Sequence, residues 1–331
     1  MRALLSSETG GPETLKIGEL PEPVAAAGQI VVDIKACSIN YPDVLIIVDM
    51  YQFKPERPFA PGGEVSGIVS AVGEGVSGFA VGDKVMGLCG NGGLGEKVAL
   101  TAMSAFKMPE GMSFEDGASL LLTYGTSIHA YQDRAQMKGG ENVLVLGGAG
   151  GIGISAIELA KAQGCRVVAG VSSEEKAAIA KEAGADECIV YPYQPLEKDA
   201  SKALAGEFKK AAGGEGFDIV YDTVGGDYSE PALRSIAWEG KFLVVGFPAG
   251  IAKLPLNLTL LKSCDVCGVF WGAFAARDPK ANHANIAKLF ELYAEGKIKP
   301  RISATFPLEK GGDAIALLGD RKATGKVVVT M

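Results

Sequence analysis

From about residue 123 onward, apolar runs of strand length alternate with stretches of helical periodicity. The strand candidates lie at residues 142–146, 166–171, 188–191, 218–222 and 241–246, and helical stretches between them lie at residues 173–184, 197–214 and 226–240. Strands that are buried on both faces read as continuous apolar runs, because helices that connect parallel strands cover both faces. This rhythm predicts an α/β fold with a doubly wound parallel sheet.

The chain on either side of this region has a different rhythm. Residues 28–39 alternate as a strand does, and residues 64–88 read as short β segments separated by glycine turns. Near the other end, a helical stretch at 283–296 precedes a β-rich tail. We therefore predict an α/β domain inserted into a β-rich domain. The predicted bounds are 123–269 for the inserted domain and 1–122 with 270–331 for the β-rich domain.

Composition and charge narrow the class of protein. The 331 residues include 39 acidic and 32 basic side chains, for a formal net charge of −7, without a run rich in lysine or arginine. This balance argues against a general binder of nucleic acid or of anionic membranes. The first residues read as a strand and turn rather than a secretory signal, and no apolar stretch reaches the roughly 18 residues of a membrane span. Six scattered cysteines fit a reduced, cytoplasmic protein.

A glycine-rich turn follows the first strand of the α/β region. The motif Gly148-Ala149-Gly150-Gly151-Ile152-Gly153 stands between an apolar strand and an apolar-periodic helix. Glycines at this spacing allow a tight turn, close approach of backbone N–H groups to a pyrophosphate, and close packing of the helix on the strand. The start of the helix offers unpaired N–H groups and partial positive charge to phosphates. The motif in this context predicts a dinucleotide-binding site.

The end of the next strand bears on which dinucleotide binds. Sites for NAD usually place an acidic residue there to hold the ribose hydroxyls, but this strand ends in Gly170-Val171-Ser172. Ser172 can donate a hydrogen bond and Lys176 can meet a 2′-phosphate, which favours NADPH. The alternative is that residues 172–176 only cap a helix. Glu174 and Glu175 also weaken the electrostatic argument.

With these features in place, the chain resembles the zinc-free quinone oxidoreductase branch of the medium-chain dehydrogenase/reductase superfamily over essentially its whole length. The segments that carry the resemblance are Asn40-Tyr41-Pro42-Asp43, residues 61–73, Gly82-Asp83-Lys84-Val85, the glycine motif, and residues 172–191, 222–226, 244–250, 268–272 and 321–329. The resemblance implies a Rossmann sheet inserted into a β-rich, GroES-like catalytic domain.

The zinc ligands of the metal-dependent relatives have no counterpart here. Where those relatives have a cysteine and a histidine, this chain has Asn40 and Gly63, neither of which is a plausible zinc ligand. The four-cysteine lobe that binds structural zinc is also missing, and the chain contains only two histidines. Cys264 and Cys267 lie in an apolar strand pattern and are better interpreted as buried thiols. We therefore expect no metal.

The resemblance implies roles for individual residues. Asn40 and Asp43 belong to a motif beside the nicotinamide, where Asn40 is suited to donate to a substrate carbonyl, and Tyr51 matches an aromatic position of the substrate pocket. The positions that match cofactor-binding segments are Thr126, Gly148, Gly150, Gly151, Ile152, Gly153, Ser172, Lys176, Tyr191, Val224, Phe247, Phe270, Gly272 and Arg321.

Most of these residues have an ordinary structural alternative. Asn40 and Asp43 also suit the cap of a turn, and Thr126 also suits a hydrogen bond to its own helix. Tyr51 also suits an exposed surface position and Tyr191 an ordinary strand position, as Phe270 suits core packing and Arg321 a solvated charge.

Without a metal to polarise a carbonyl, hydride transfer favours a conjugated electrophile. The leading hypothesis is therefore an NADPH-dependent reductase of a quinone or an α,β-unsaturated carbonyl. One alternative is an enoyl-thioester reductase acting on an acyl-CoA, which needs a basic surface. Lys54, Arg57 and Lys97 are too few to decide that point. The other alternative is an NADPH-binding protein with little turnover.

The apolar stretch at residues 258–272 bears on assembly. In the resembled family the matching strand pairs with its two-fold mate, and an exposed apolar edge would otherwise favour aggregation. We therefore expect a homodimer. The alternative is a sixth, internal strand in a monomer.

Overall fold

The computed structural model describes all 331 residues, which form two compact units: residues 1–122 with 300–331, and residues 123–299. In chain order the strands are β1 (Arg2–Leu5), β2 (Lys16–Glu19), β3 (Gln29–Ile39), β4 (Glu64–Val72), β5 (Lys84–Leu88), β6 (Lys97–Thr101), β7 (Ala105–Lys107), β8 (Asn142–Leu146), β9 (Arg166–Val171), β10 (Glu187–Val190), β11 (Phe217–Asp222), β12 (Ile236–Val244), β13 (Asp265–Gly268), β14 (Ile302–Pro307) and β15 (Lys326–Thr330).

The α-helices are α1 (Tyr41–Ile46), α2 (Phe114–Ile128), α3 (Gly151–Ala162), α4 (Glu174–Glu182), α5 (Lys198–Ala212), α6 (Ser229–Arg234), α7 (Asn257–Lys262), α8 (Trp271–Arg277), α9 (Pro279–Ala294) and α10 (Gly311–Gly319). A π-helical segment, His129–Ala135, continues α2. None of these helices combines the length and apolar character that crossing a bilayer requires.

The second unit is built on a six-stranded sheet in the order β10-β9-β8-β11-β12-β13, with every pairing parallel. The strands are apolar because the sheet lies in the core of this unit. β8 is buried from Val143 to Leu146, and Phe217 and Phe242 pack with buried residues of α5 and α6. The predicted doubly wound parallel sheet is confirmed.

The first unit is dominated by a seven-stranded sheet in the order β14-β15-β3-β4-β5-β7, with β6 also paired to β3. Apart from the parallel pair β14 and β15, its pairings are antiparallel, and strand β3 contributes the largest number of buried residues. A separate antiparallel ribbon joins β1 and β2. This sheet is the GroES-like, β-rich part of the predicted fold.

One predicted helix is shorter than expected. Residues 226–240 have helical periodicity, but only Ser229–Arg234 form α6, and the chain then enters β12 at Ile236. Ile236 is completely buried with Phe217 of the neighbouring strand, so pairing with β11 overrides the local helical pattern.

The apolar stretch 258–272 is not one long strand. Residues 257–262 form α7, and only the four residues of β13 join the sheet, as its last strand beside β12. Leu260 and Leu261 are exposed on α7, so their apolar character does not reflect burial in this chain. The strand is shorter than the stretch, but it lies at the edge of the sheet, so the alternative of an internal strand was wrong and the homodimer stays a prediction.

Residues 270–299 belong to the second unit rather than to the β-rich one as predicted. The Trp271 indole donates to Asn282 at 2.8 Å and fills the space beside Gly125 in α2. Asn285 donates to Asp133 in the π-helical segment at 2.9 Å. These contacts hold α8 and α9 against the helices of the second unit, which the periodicity of 283–296 alone does not reveal.

Candidate functional site

The strand order of the second unit locates a ligand site. In a doubly wound sheet, ligands bind outside the carboxyl ends of the strands, where the chain reverses the direction in which it adds strands. Here that point lies between β8 and β11. The loops that leave this edge contain the glycine motif after β8, residues 223–226 after β11 and residues 245–250 after β12.

The glycines of the motif are required by close contacts. Gly147, just before the motif, has a φ of +77°, a conformation that side chains rarely adopt. A Cβ on Gly153 would lie 2.1 Å from the Gly147 carbonyl oxygen, and one on Gly148 would lie 2.8 Å from the Ala169 side chain. These positions therefore allow α3 to pack directly on the β8 turn.

The start of α3 is suited to hold phosphate groups. Gly150 is the N-cap residue and supplies no side chain that would satisfy the first N–H groups of the helix. The N–H groups of Gly151, Ile152 and Gly153 have no acceptor within the helix and lie at its positive end. Since α3 is 12 residues long, its dipole is fully developed at this end.

The loop after β11 is held in place by the buried carboxylate of Asp222. The sequence analysis included this residue in the segment 222–226 but gave it no role of its own. Asp222 accepts hydrogen bonds from the N–H groups of Val224 and Gly225, each at 2.9 Å, and from the Ser229 hydroxyl at 2.5 Å. Burial raises the pKa of the Asp222 carboxyl. Thr223 donates to the Leu146 carbonyl at 2.7 Å and ties this loop to the end of β8. Val224 is therefore held at the carboxyl edge of the sheet.

At the end of β9 the helix cap is present, and Ser172 and Lys176 lie together beside it. Ser173 caps α4 by accepting the Lys176 N–H at 3.3 Å, while the Lys176 ammonium donates to the Ser172 hydroxyl at 3.1 Å. Tyr191 is buried, 4.4 Å from the Tyr228 ring between centroids, and its ring limits the space above Gly170. The structure thus brings Ser172 and Lys176 together at this end of the strand and places Tyr191 next to Gly170.

The remaining residues that were predicted to bind the cofactor lie in different surroundings. Phe247 and Phe270 follow β12 and β13 at the carboxyl edge and are 54% and 65% exposed. Gly272 is exposed in α8, and Thr126 is partly exposed in α2. Arg321 lies in the first unit, on an exposed turn after α10, with a φ of +59°.

Asn40 and Asp43 form the cap of α1, as the structural alternative predicted. The Asp43 carboxylate accepts the backbone N–H of Asn40 at 2.7 Å and that of Gly62 at 3.0 Å. Burial raises the pKa of Asp43 to about 6, despite the opposing effect of these two hydrogen bonds. The cap therefore contains a carboxyl that titrates close to neutral pH.

The Asn40 side chain belongs to a buried polar cluster, which we define as Asn40, Glu64 and Lys326. The Lys326 ammonium donates to the Asn40 amide oxygen at 2.6 Å and to Glu64 at 3.1 Å. The Asn40 amide nitrogen donates to Glu64 at 2.9 Å and to the Ser38 carbonyl at 3.2 Å. The other Glu64 oxygen accepts the Leu122 N–H at 2.9 Å.

This cluster corrects the role expected for Asn40. Both N–H groups of its amide already have protein acceptors and the residue is only 6% exposed, so donation to a substrate carbonyl would require breaking one of these bonds. Sequence analysis missed Glu64 and Lys326. The available signal was a charged residue at the first position of two apolar strands, β4 and β15.

Tyr51 lies near enough to Asp43 to be affected by its charge. Its side chain packs against the core of the first unit and remains partly exposed. Burial, and secondly the Asp43 charge, raise the pKa of the Tyr51 hydroxyl. The phenol therefore stays protonated and keeps its capacity to donate a hydrogen bond at neutral pH.

At the positions that match the zinc ligands of the metal-dependent relatives, this chain has Asn40 and Gly63. Asn40 is engaged in the buried cluster, and Gly63 has no side chain. His129 pairs with Asp133 at 2.8 Å and stacks on Phe274. The structure contains no group of three or more histidine, cysteine or acidic side chains arranged to hold a metal ion.

Comparison with known proteins agrees with this architecture. A family model described as alcohol dehydrogenase GroES-like domain matches residues 26–110, and one described as zinc-binding dehydrogenase matches residues 151–289. A quinone oxidoreductase-like protein 2 homolog from Nematostella vectensis is 36% identical, covering 99% of this chain and 88% of the relative.

Solved structures are similar over the full length. A mycobacterial protein solved in complex with NADPH has a TM-score of 0.91 at 30% identity, with 100% of both chains covered. An Escherichia coli quinone oxidoreductase, also solved with NADPH, has a TM-score of 0.88 at 28% identity, again with 100% of both chains covered.

Proposed function

Because this chain belongs to the zinc-free quinone oxidoreductase branch of the medium-chain dehydrogenase/reductase superfamily, we propose that it reduces a quinone or an α,β-unsaturated carbonyl with NADPH. The observation that carries the proposal is the glycine motif at the point where the sheet reverses its order, with a serine and a lysine at the end of the neighbouring strand. The proposed reaction requires no metal.

The residues at the carboxyl edge of the second unit fit a dinucleotide. The first-turn N–H groups of α3 would hold the pyrophosphate, and Val224 would lie along the cofactor further down the same edge. Phe247, Phe270, Gly272 and Thr126 are assigned to its nicotinamide end by family resemblance, as Arg321 is to its phosphates. When bound, the reduced nicotinamide supplies a hydride.

NADPH is favoured over NADH by the end of β9. The strand ends without a carboxylate, and the Lys176 ammonium lies 3.1 Å from the Ser172 hydroxyl, which gives a phosphate one cation and one hydroxyl donor. An acidic residue at this point would instead favour two ribose hydroxyls. Tyr191 is buried against Tyr228 and lies next to Gly170 of β9.

Tyr51 is our candidate for the group that stabilises the substrate oxygen. Hydride addition places negative charge on a carbonyl oxygen, and a fixed donor lowers the energy of that charge. Asn40 has both of its N–H groups engaged, whereas Tyr51 is partly exposed and stays protonated. We assign Asn40 and Asp43 the role of holding α1, which precedes the Tyr51 loop.

The surface charges favour a neutral electrophile over an acyl-CoA. Arg57 is bound to Asp49 at 2.9 Å and to the Ile47 carbonyl at 3.0 Å. Lys97 is bound to Glu22 at 2.9 Å. Two of the three cations considered for binding an anionic thioester, Arg57 and Lys97, are therefore already paired with acids.

We also propose that a second copy of the chain covers the β13 edge. Val266 of β13 is 41% exposed, and Leu256, Leu260 and Leu261, which precede it in the chain, are 74%, 78% and 63% exposed. An unpaired apolar edge of this kind is a hazard unless another strand covers it. Leu260→Glu is expected to convert a dimer to a monomer in analytical ultracentrifugation. An unchanged sedimentation coefficient would reject this interface.

The enzymatic proposal is tested by turnover. The purified protein should oxidise NADPH only when a quinone or enone is added, and treatment with a chelator should leave the rate unchanged. Binding of NADPH without turnover on any electrophile would reject the reductase function. Turnover of crotonyl-CoA alone would move the assignment to a thioester reductase.

A further inference from the structure

Glu158 is the only acidic residue of α3, the helix whose first turn we assign to the cofactor phosphates. One of its carboxylate oxygens accepts both the Tyr124 hydroxyl at 2.6 Å and the Lys299 backbone N–H at 3.0 Å. These two partners come from α2 and from the chain beyond α9. The single oxygen therefore fixes the position of the carboxylate within the second unit.

No cation neutralises this carboxylate. Lys161, one turn further along α3, is bound to Asp186, and Lys297 beyond α9 is bound to Glu295. Lys299 contributes its backbone and is itself exposed. Since hydrogen bonds alone oppose the effect of burial, the pKa of Glu158 is raised to about 7.

The position of Glu158 makes its charge matter to an anionic ligand. It lies eight residues after the N-cap Gly150, which corresponds to about 12 Å along a helix. A negative charge at that distance, in a partly buried setting, weakens the binding of the anionic ligand by about three- to tenfold in total. The charge also opposes the helix dipole that attracts the phosphates.

We propose that Glu158 links cofactor affinity to pH, because the anionic dinucleotide binds most tightly to the form of the protein in which Glu158 carries a proton. This inference rests on the proposed function for the identity of the cofactor. Since the charge appears as pH rises through neutrality, affinity for the cofactor falls over the same range. By linkage, binding of the cofactor draws a proton from solution.

The test is the dissociation constant of NADPH from about pH 6 to about pH 8.5. The native protein should lose about three- to tenfold in affinity over this range. Glu158→Gln keeps an oxygen that can accept from Tyr124 and Lys299 but carries no charge. Its affinity for NADPH should therefore lack the fall with rising pH that the Glu158 charge causes. Glu207→Gln removes an exposed carboxylate from α5 of the same unit and should follow the native curve.

NADPH also has a 2′-phosphate that titrates, so the comparison is repeated with NADH, which lacks it. The difference between the native protein and Glu158→Gln should persist with NADH, because both nucleotides carry the pyrophosphate. Parallel curves for the two proteins would overturn this inference and leave the proposed function standing. Failure of the native protein to bind either nucleotide would overturn the proposed function and this inference together.

A second variant tests the direction of the effect. Tyr124→Phe removes a hydrogen bond that stabilises the ionised carboxylate, so the midpoint of the affinity change should move to higher pH. A midpoint that stays in place or moves to lower pH would contradict the assignment of the transition to Glu158. Thermal unfolding of each variant checks that the fold is retained.

Discussion

The glycine motif of the second unit and the buried polar cluster of the first unit are assembled in opposite ways. The motif lies within six consecutive residues, and its constraints act between neighbours such as Gly147 and Gly153. The cluster joins Asn40 to Lys326, which are 286 positions apart. The first can be identified from spacing alone, whereas the second exists only because particular strands pair.

Strand register explains how the cluster forms. In the first unit β15 pairs with β3 so that Val327 lies opposite Ile39, and β4 pairs with β3 so that Glu64 lies opposite Ser38. The ends of three adjacent strands therefore bring Lys326, Asn40 and Glu64 together. A shift of one residue in either pairing would turn these side chains to the other face of the sheet.

The largest expected effect comes from breaking this cluster. Lys326→Met leaves Glu64 completely buried without its cation, so the free energy of unfolding should fall by about 3–5 kcal/mol. Denaturant unfolding measures the loss. Lys322→Met, an exposed residue four positions earlier, is the control and should change stability by less than about 0.5 kcal/mol. Equal effects of the two substitutions would contradict the importance of the cluster.

The next effect concerns pH and the Asp43 cap. The pKa of this carboxyl is raised from 3.8 to about 6, so folding favours its protonated form. Its contribution to stability is present below pH 3.8 and is lost as pH rises through 6, a change of about 3 kcal/mol. Asp43→Asn should remove this component from the pH dependence of unfolding. Identical slopes for both proteins between those values would show that another group titrates.

A substitution in the glycine motif tests the local side of the comparison. A Cβ on Gly153 must displace the backbone of Gly147, so Gly153→Ala should weaken NADPH binding by about 100-fold, or 2.7 kcal/mol. Fluorescence titration measures this. Gly206→Ala in α5 meets no atom within 4 Å and should instead stabilise the fold by about 0.5–1 kcal/mol. Unchanged binding by Gly153→Ala would refute the steric argument.

The smallest expected effect sharpens the choice of cofactor. Lys176→Met removes the cation at the end of β9 and should raise the dissociation constant of NADPH about tenfold while leaving that of NADH unchanged. Lys181→Met, an exposed position on the same helix, should alter neither. A parallel loss of both nucleotides would mean that Lys176 does not discriminate through the 2′-phosphate.

Where sequence analysis went wrong, tertiary pairing decided the outcome. Residues 226–240 have a helical pattern along their whole length, but β11 recruits Ile236 into a strand. Residues 258–272 are apolar enough for a strand, but Leu260 and Leu261 are exposed on α7 rather than buried in a sheet. Apolar character alone does not distinguish a buried core position from an exposed surface position.

The sequence by itself determined the doubly wound sheet, the glycine turn and the serine–lysine pair at the end of β9, because each depends on periodicity or on residues close together in the chain. Only the tertiary structure decided the cluster around Asn40, the pairing of Arg57 and Lys97 with acids, and the uncompensated carboxylate of Glu158. These depend on burial and on partners from distant segments. A side chain's charge state follows from those surroundings, which spacing along the chain does not encode.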